Sequence, residues 1–437
     1  MTTSDPSPAS SPDSSQPSAP ATGGVSRRGV IGGTAAVVAA AGSFGAGRAT
    51  AAPVGPRSHL ERGVSFYGAH QAGIVTPAQD RLHFAAFDVI TDSREELVAL
   101  LRAWTEAAAR MTRGDDVGTG AMPADGTLPP DDTGEAVGLP AAGLTITFGF
   151  GPSLFERDGV DRFGLAGRRP AGLEELPHFP GDQLDPQLSG GDLCVQACAD
   201  DPQVAVHAVR NLARLGFGVV SLRWTQLGFG RTSSTTRDQR TPRNLFGFKD
   251  GTKNILAEET EDLTSHVWIQ SGDDPGADWA VAGSYLITRR INMTIEVWDR
   301  QPLVDQERFV GRTKDTGAPL SGGGEFDEPD FDMGGEGNQV VPVDSHVAVV
   351  HPTHNGGVRM LRRGYNFVDG IDRLGGMDAG LFFIAFVRDP ILQFIPMQTK
   401  MAQFDALVEY LKFTSSAIFV VPPGAKAGQY VGQGRLI

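Results

Sequence analysis

Residues 243–252 read Arg-Asn-Leu-Phe-Gly-Phe-Lys-Asp-Gly-Thr, which sets one carboxylate, Asp250, in a short polar turn among aromatic, basic and glycine neighbours. Gly247 and Gly251 carry no Cβ, so the backbone there can approach a flat ligand closely and hold Asp250 over it. A carboxylate so placed can accept and return a proton. Farther along, Asp344-Ser345-His346-Val347 offers an imidazole, and Met360-Leu361-Arg362-Arg363-Gly364-Tyr365 offers a guanidinium. Each has a plainer reading when taken alone. Asp250 can be a turn aspartate bonding its own backbone, His346 a satisfied core histidine, and Arg362 or Arg363 surface charge or half of a structural ion pair.

Other chemistries lack their residues. Nine histidines are present, and His351-Pro352-Thr353-His354 comes nearest to a metal-ligand spacing. Pro352 and the Asn355-Gly356-Gly357 that follows make it a turn rather than a zinc-binding helix. There is no Gly-x-Ser-x-Gly elbow, Walker loop or dinucleotide fingerprint. The acidic, glycine-rich segment 321–338 lacks the spaced order of a calcium loop and reads as a solvated surface loop. Cys194 and Cys198 lie four residues apart on one strand, about 13 Å along it and beyond the roughly 7 Å limit for a bridge, so both are expected as buried free thiols. No Cys-x-x-Cys-His occurs, which excludes covalent haem attachment of the c type.

These residues must be positioned by a sizeable scaffold. The chain has 437 residues, 40% hydrophobic and 21% charged, enough for a substantial core. Its net charge of −14 argues against nucleic acid, whose phosphates need clustered Lys and Arg. Alternation predicts strands over residues 82–91, 144–150, 192–199 and 217–224, and helical spacing predicts helices over 93–112 and 202–215. Ser93 and Glu96 form a capping box for the first helix. Residues 113–142 form a loop or insertion. The order repeats with strands over 284–298, 381–386 and 417–421 and helices over 302–312 and 396–411. The expected fold is α+β: two ferredoxin-like modules, residues 52–230 and 231–437, with antiparallel sheets packed together and helices outside.

Residues 1–51 read as an address. A Ser/Pro-rich start is followed by Ser26-Arg27-Arg28-Gly29-Val30-Ile31, a mild Ala/Gly/Val run and Ala49-Thr50-Ala51. That is the pattern of a twin-arginine export signal, with an apolar run too short and glycine-rich to be a good membrane span. It predicts a partner in the twin-arginine export machinery, an extracellular, periplasmic or cell-envelope location, and no stable membrane insertion after cleavage. Export of folded protein suits a cofactor inserted beforehand.

Gly-Phe-Lys-Asp-Gly matches the GxxDG signature of the dye-decolourising haem peroxidases, and the chain resembles their exported, iron-uptake-associated subgroup throughout. Tyr67-Gly68-Ala69-His70-Gln71-Ala72-Gly73-Ile74 is similar to the family's opening motif. Arg231-Thr-Ser-Ser-Thr, Trp298-Asp-Arg300 and the Gly-Arg-Thr-Lys-Asp-Thr-Gly-Ala-Pro-Leu of residues 311–320 match as well. The resemblance implies haem b held without a covalent bond, His346 as axial iron ligand, Asp250 as distal acid–base and Arg362, sixteen residues after His346, as distal cation. It implies an acidic partner for the axial imidazole, for which Asp378 is the candidate. Phe248 and Phe383 are pocket candidates, and Gly251 is carried over with the signature. Arg243 and Arg312 are candidates for haem propionates or for structural salt bridges. The implied reaction uses hydrogen peroxide to oxidise dyes, phenols or similar organic donors through a ferryl intermediate, fastest below neutral pH, with Tyr365 or Trp298 as candidate electron relays. The alternative is a haem-handling, iron-releasing protein of the deferrochelatase kind. A homo-oligomer is compatible with either.

Overall fold

A computed structural model of the chain describes residues 63–274 and 276–434. Contacts divide the chain into Met1–Val54 and Gly55–Ile437, and every described residue belongs to the second unit. The expected export signal, residues 1–51, lies outside the described residues. The first half runs β1 (Arg81–Val89), α1 (Arg94–Met111), β2 (Thr145–Phe150), α2 (Pro152–Phe155), β3 (Leu193–Ala199), α3 (Pro202–Leu215) and β4 (Val220–Arg231). The second runs α4 (Thr260–His266), β5 (Ser284–Met293), α5 (Ile295–Trp298), α6 (Leu303–Val310), α7 (His346–Val350), β6 (Leu361–Arg362), β7 (Tyr365–Ile371), β8 (Met377–Val387), α8 (Phe394–Phe404) and β9 (Leu411–Val421).

The strand order is β5-β9-β2-β3-β1-β4-β7-β8, and β5 also pairs with β8, so the antiparallel sheet closes into a barrel with β6 added beside β8. The halves join through few pairs: Phe150 with Val420 on one side, Phe229 with Asn366 and Arg231 with Tyr365 on the other. Side chains alternate across the barrel wall, as strand geometry demands. On β1, Leu82, Phe84 and Ala86 join Trp224, Phe382, Phe386 and Phe419 in the inner core. Ala85 and Phe87 face outward into the layer covered by α1 and α3. The same parity on β5 and β8 governs the site below.

Helix ends follow local chemistry. Ser93 Oγ accepts from Glu96 N at 3.2 Å, but the Glu96 carboxylate takes the Thr91 hydroxyl, so only half of the expected capping box forms. Asp201 accepts from Gln203 N and Val204 N to start α3, with Pro202 at its first position. The insertion between α1 and β2 is tied to α3 by Asp132, which accepts from Val117 N and Gly134 N and lies 2.8 Å from His207 Nε2. Cys194 and Cys198 are buried and free, as expected.

Several boundaries differ from the sequence expectation. The strand over 217–224 begins at Val220 and runs on to Arg231. The strand expected over 284–298 ends at Met293, because the chain turns helical to bring Trp298 under Phe246, with ring centroids 4.3 Å apart. The helix expected over 396–411 runs Phe394–Phe404 and breaks at Asp405, whose backbone is extended; residues 406–410 tighten to a 3₁₀ turn. β7 was not expected at all. Among the described residues no helix is long and apolar enough to cross a membrane, and no cluster of three or more His, Cys, Asp or Glu could hold a metal ion.

Candidate active site

Asp250 is placed by a small hairpin. Arg243 bridges Lys249, Asn244 N donates to Phe248 O, and Gly247 N donates back to Asn244 O at 2.9 Å. Gly247 and Gly251 take φ of 82° and 85°, values that side chains rarely adopt. A Cβ on Gly251 would stand 2.9 Å from Ser233 Cα, and one on Gly247 would meet the Lys314 side chain. Turn geometry and protein packing are by themselves enough to demand both glycines.

The turn delivers Asp250 to Arg362. Arg362 Nη1 donates to Asp250 Oδ1 at 2.9 Å, and Asn244 Nδ2 donates to Asp250 Oδ2 at 3.2 Å. Arg362 sits on β6, opposite Ala385 of β8. Asn254 fixes its backbone from both sides: Oδ1 accepts from Arg362 N at 2.7 Å, and Nδ2 donates to Arg362 O and to Ser234 O, each at 2.8 Å. The guanidinium is thus held by a buried strand rather than left to a flexible arm.

His346 opens α7 behind Ser345, whose hydroxyl accepts from Ala348 N. Its Nδ1 lies 2.6 Å from Asp405 Oδ2, a carboxylate wholly buried at the end of α8. Burial opposes protonation of the imidazole, but the charge and hydrogen bond of Asp405 outweigh it and raise its pKa above the ordinary value. The ring also senses the opposite charges of Arg362 and Asp250. Among the described residues its Nε2 has no hydrogen-bond partner. Asp378, the expected partner, is elsewhere. It accepts from Arg290 Nη2 at 2.9 Å and from Asn292, on the face of β8 that looks into the barrel.

One cavity gathers these groups on the outer face of β5 and β8, under α7 and α8. Asp250, Gly251, Arg362 and His346 line it, as do Phe248, Phe383 and Arg312. Its apolar wall includes Leu381, Met397 and Met401. Arg312 spends Nη1 on Gly317 O and Glu325 O, both at 2.7 Å. Arg243 lies outside the lining, its guanidinium bonded to the carbonyls of Gly247, Lys314 and Asp315, so it does not serve as a cavity cation. The opening motif also stays away: His70 Nδ1 bonds Ala282 O at 2.7 Å and its ring stacks on Trp268. Trp298 and Tyr365 are fully buried packing residues rather than surface relays.

Sequence reading missed Asp405, Asn244 and Asn254. Asn244 and Asn254 flank the Asp250 turn closely enough to have been suspected. Asp405 gave no signal beyond its place in an apolar helical pattern.

Family models place this arrangement. Residues 71–230 match "Dyp-type peroxidase, N-terminal" and residues 241–426 match "Dyp-type peroxidase, C-terminal". The chain belongs to the Dyp-type peroxidase family. It is 37% identical to the deferrochelatase of Escherichia coli strain K12 over 378 residues, 85% of this chain and 86% of that one. Ferric DtpA from Streptomyces lividans is 39% identical with a TM-score of 0.76, across 87% of this chain and 99% of that one. A DyP-type peroxidase from Cellulomonas bogoriensis is 36% identical with a TM-score of 0.75, over the same shares. Members of this family are haem-binding oxidoreductases, and this Dyp-type peroxidase is an enzyme of that kind. Its cavity fits a haem on three observations: an imidazole with Nδ1 engaged and Nε2 free, a wall of Phe, Leu and Met, and an ion-paired carboxylate on the same lining.

Proposed function

We propose that the chain is an exported haem b peroxidase that uses hydrogen peroxide to oxidise dyes, phenols or similar donors. His346 Nε2 would hold the iron, with Asp405 fixing the ring and raising its basicity from the other nitrogen. Bound haem would supply the redox centre that takes up the oxidising equivalents of peroxide. The chain's own groups manage the proton and the charge. The Asp250 carboxylate accepts a proton from peroxide and returns it to the departing oxygen. Arg362, 2.9 Å from Asp250, steadies the negative charge that develops as the bond parts. Phe248, Phe383 and Leu381 keep the space dry, which strengthens both effects.

The observation that carries this reading is the convergence of His346 and the Asp250–Arg362 pair on one cavity from segments far apart in sequence. Strand order supports the duplicated ferredoxin-like architecture, since β4-β1-β3-β2 and β9-β5-β8-β7 follow the same permutation. Residues 1–51 are proposed as the twin-arginine signal. A visible spectrum of the purified protein, before and after one equivalent of peroxide, tests the function. A Soret band that changes at once and recovers when a phenol is added is expected. No Soret band after reconstitution with haemin sinks it.

The relationship to a deferrochelatase favours a second reading, release of iron from haem. Rapid peroxide turnover with firmly held haem supports the peroxidase. Iron appearing with intact porphyrin, and negligible turnover, supports the alternative.

A further inference from the structure

Arg289 lies on the cavity-facing side of β5 with Ile291 and Met293, and it is wholly buried. Its Nη2 pairs with Asp182, and its guanidinium is flanked by the rings of Phe179 at 5.2 Å and Phe413 at 4.9 Å. Asp182 is equally buried and takes the Phe179 N–H on its other oxygen at 3.0 Å. Among the described residues, Arg289 Nε and Nη1 have no hydrogen-bond partner. Unmet donors on a buried cation are costly, and native proteins seldom keep them without an acceptor. A second orphan stands on the same lining: Gln398 Nε2, buried on α8 in the face shared by Phe394, Met397 and Met401. Phe179 packs against both Arg289 and Phe394, which ties the arginine to the α8 side of the cavity.

All of these unmet groups are donors, so the missing group is an acceptor. A carboxylate suits it best, because guanidinium geometry matches two carboxylate oxygens and the ionised acceptor gives the stronger bonds. We propose that Arg289, with the Gln398 amide as a second donor, anchors a propionate carboxylate of the porphyrin, a role the sequence had offered to Arg243 and Arg312. The inference rests on the haem reading above. Asp182 and the two phenylalanine rings hold the guanidinium ready, so little freedom is lost when the carboxylate arrives. Arg289 is a binding residue here and moves no proton.

Haemin and haemin dimethyl ester, which lacks both carboxylates, separate this anchor from general packing. Apoprotein is titrated with each and the Soret band gives the two affinities. Wild-type protein is expected to favour free haemin clearly. Arg289→Met is combined with Asp182→Asn so that no lone buried charge remains. In that variant the preference for haemin should shrink by about ten-fold, with the ester bound about as before. Gln398→Leu strands no charge and should shrink it by about three-fold. An unchanged preference in either folded variant, checked by circular dichroism, overturns the anchor. So does an equal loss of both ligands, which is what packing alone would give. Failure of the wild type to bind either ligand would instead remove the haem reading itself.

Discussion

His346 and Asp405 meet through one short hydrogen bond, Nδ1 to Oδ2 at 2.6 Å, although 59 residues separate them. The other Asp405 oxygen accepts from Leu407 N at 2.9 Å and caps the turn that follows α8. One carboxylate therefore both ends a helix and aims an imidazole. Its position is set by the fold's own capping needs, so the ring can be oriented before any cofactor arrives.

Asp405→Asn removes the charge and leaves one acceptor oxygen where two now serve His346 Nδ1 and Leu407 N, so the bond to the imidazole is lost or reversed. The imidazole becomes a poorer electron donor, so the ferric–ferrous midpoint potential should rise and the reaction with peroxide should slow by about ten-fold or more. Spectroelectrochemistry and stopped-flow absorbance measure the two. Asp378→Asn is the control. It touches Arg290 on the inner face of the wall and should leave potential and rate where they were. If Asp378→Asn shifts the potential and Asp405→Asn does not, the assignment of the axial partner is wrong.

Arg362→Leu removes the cation beside Asp250 and should slow the reaction with peroxide at least about ten-fold. Asp250→Asn can keep the bond from Arg362 but gives up the one from Asn244, and it cannot take a proton, so its loss should be larger, on the order of a hundred-fold. Stopped-flow decay of the resting Soret band reads both. Equal, wild-type rates in the two variants would mean that the pair is only structural.

Asn254 is predicted to matter without lining the cavity. Asn254→Leu abandons three hydrogen bonds and leaves the Arg362 N–H and two carbonyls unmet, at a cost of about 2–3 kcal/mol in stability. The same loss frees β6, so the peroxide rate should fall even in the folded fraction. Urea unfolding together with stopped flow checks this. A destabilised protein with an unaltered rate would show that Arg362 needs no such brace.

The three chemical groups were legible because each sits in a short segment of unusual composition, and strand alternation was plain where one face is apolar. What decided their neighbours was parity and helix termination, which sequence periodicity blurs. On β8, Leu381 and Phe383 face the cavity, so Asp378, an odd number of residues away, must face the barrel with Phe382. Met401, Leu407 and Leu411 continue an apolar helical spacing, which hid the break at Asp405. β7 was overlooked because Arg363-Gly364-Tyr365 reads as a functional segment, while its pairing partners lie on β4 and β8. Arg289 stood in an apolar strand, where a buried cation shows itself only once its unmet donors are seen.

His83 contributes to the loss of stability in acid. By alternation on β1 it shares the helix-covered face of Ala85 and Phe87, it is buried, and its Nδ1 has no hydrogen-bond partner among the described residues. Burial disfavours the charged ring and pushes its pKa down from 6.5 to about 4. Above the unfolded value neither state carries the proton, and nothing is lost. As pH falls from 6.5 towards 4 the unfolded chain binds a proton that the folded chain refuses, so stability drops, by up to roughly 3 kcal/mol. Below 4 both states are protonated and the loss stops growing. His83→Leu removes the site, so its melting temperature should fall less over that window than the wild type's, as calorimetry at stepped pH would show. Parallel curves for the two proteins would exclude His83 as the cause. Dye oxidation faster below neutral pH, as expected of this enzyme, would fall in the same window. His83→Leu should therefore lengthen the active half-life in acid without changing the initial rate, because the residue lies on β1, outside the cavity lining.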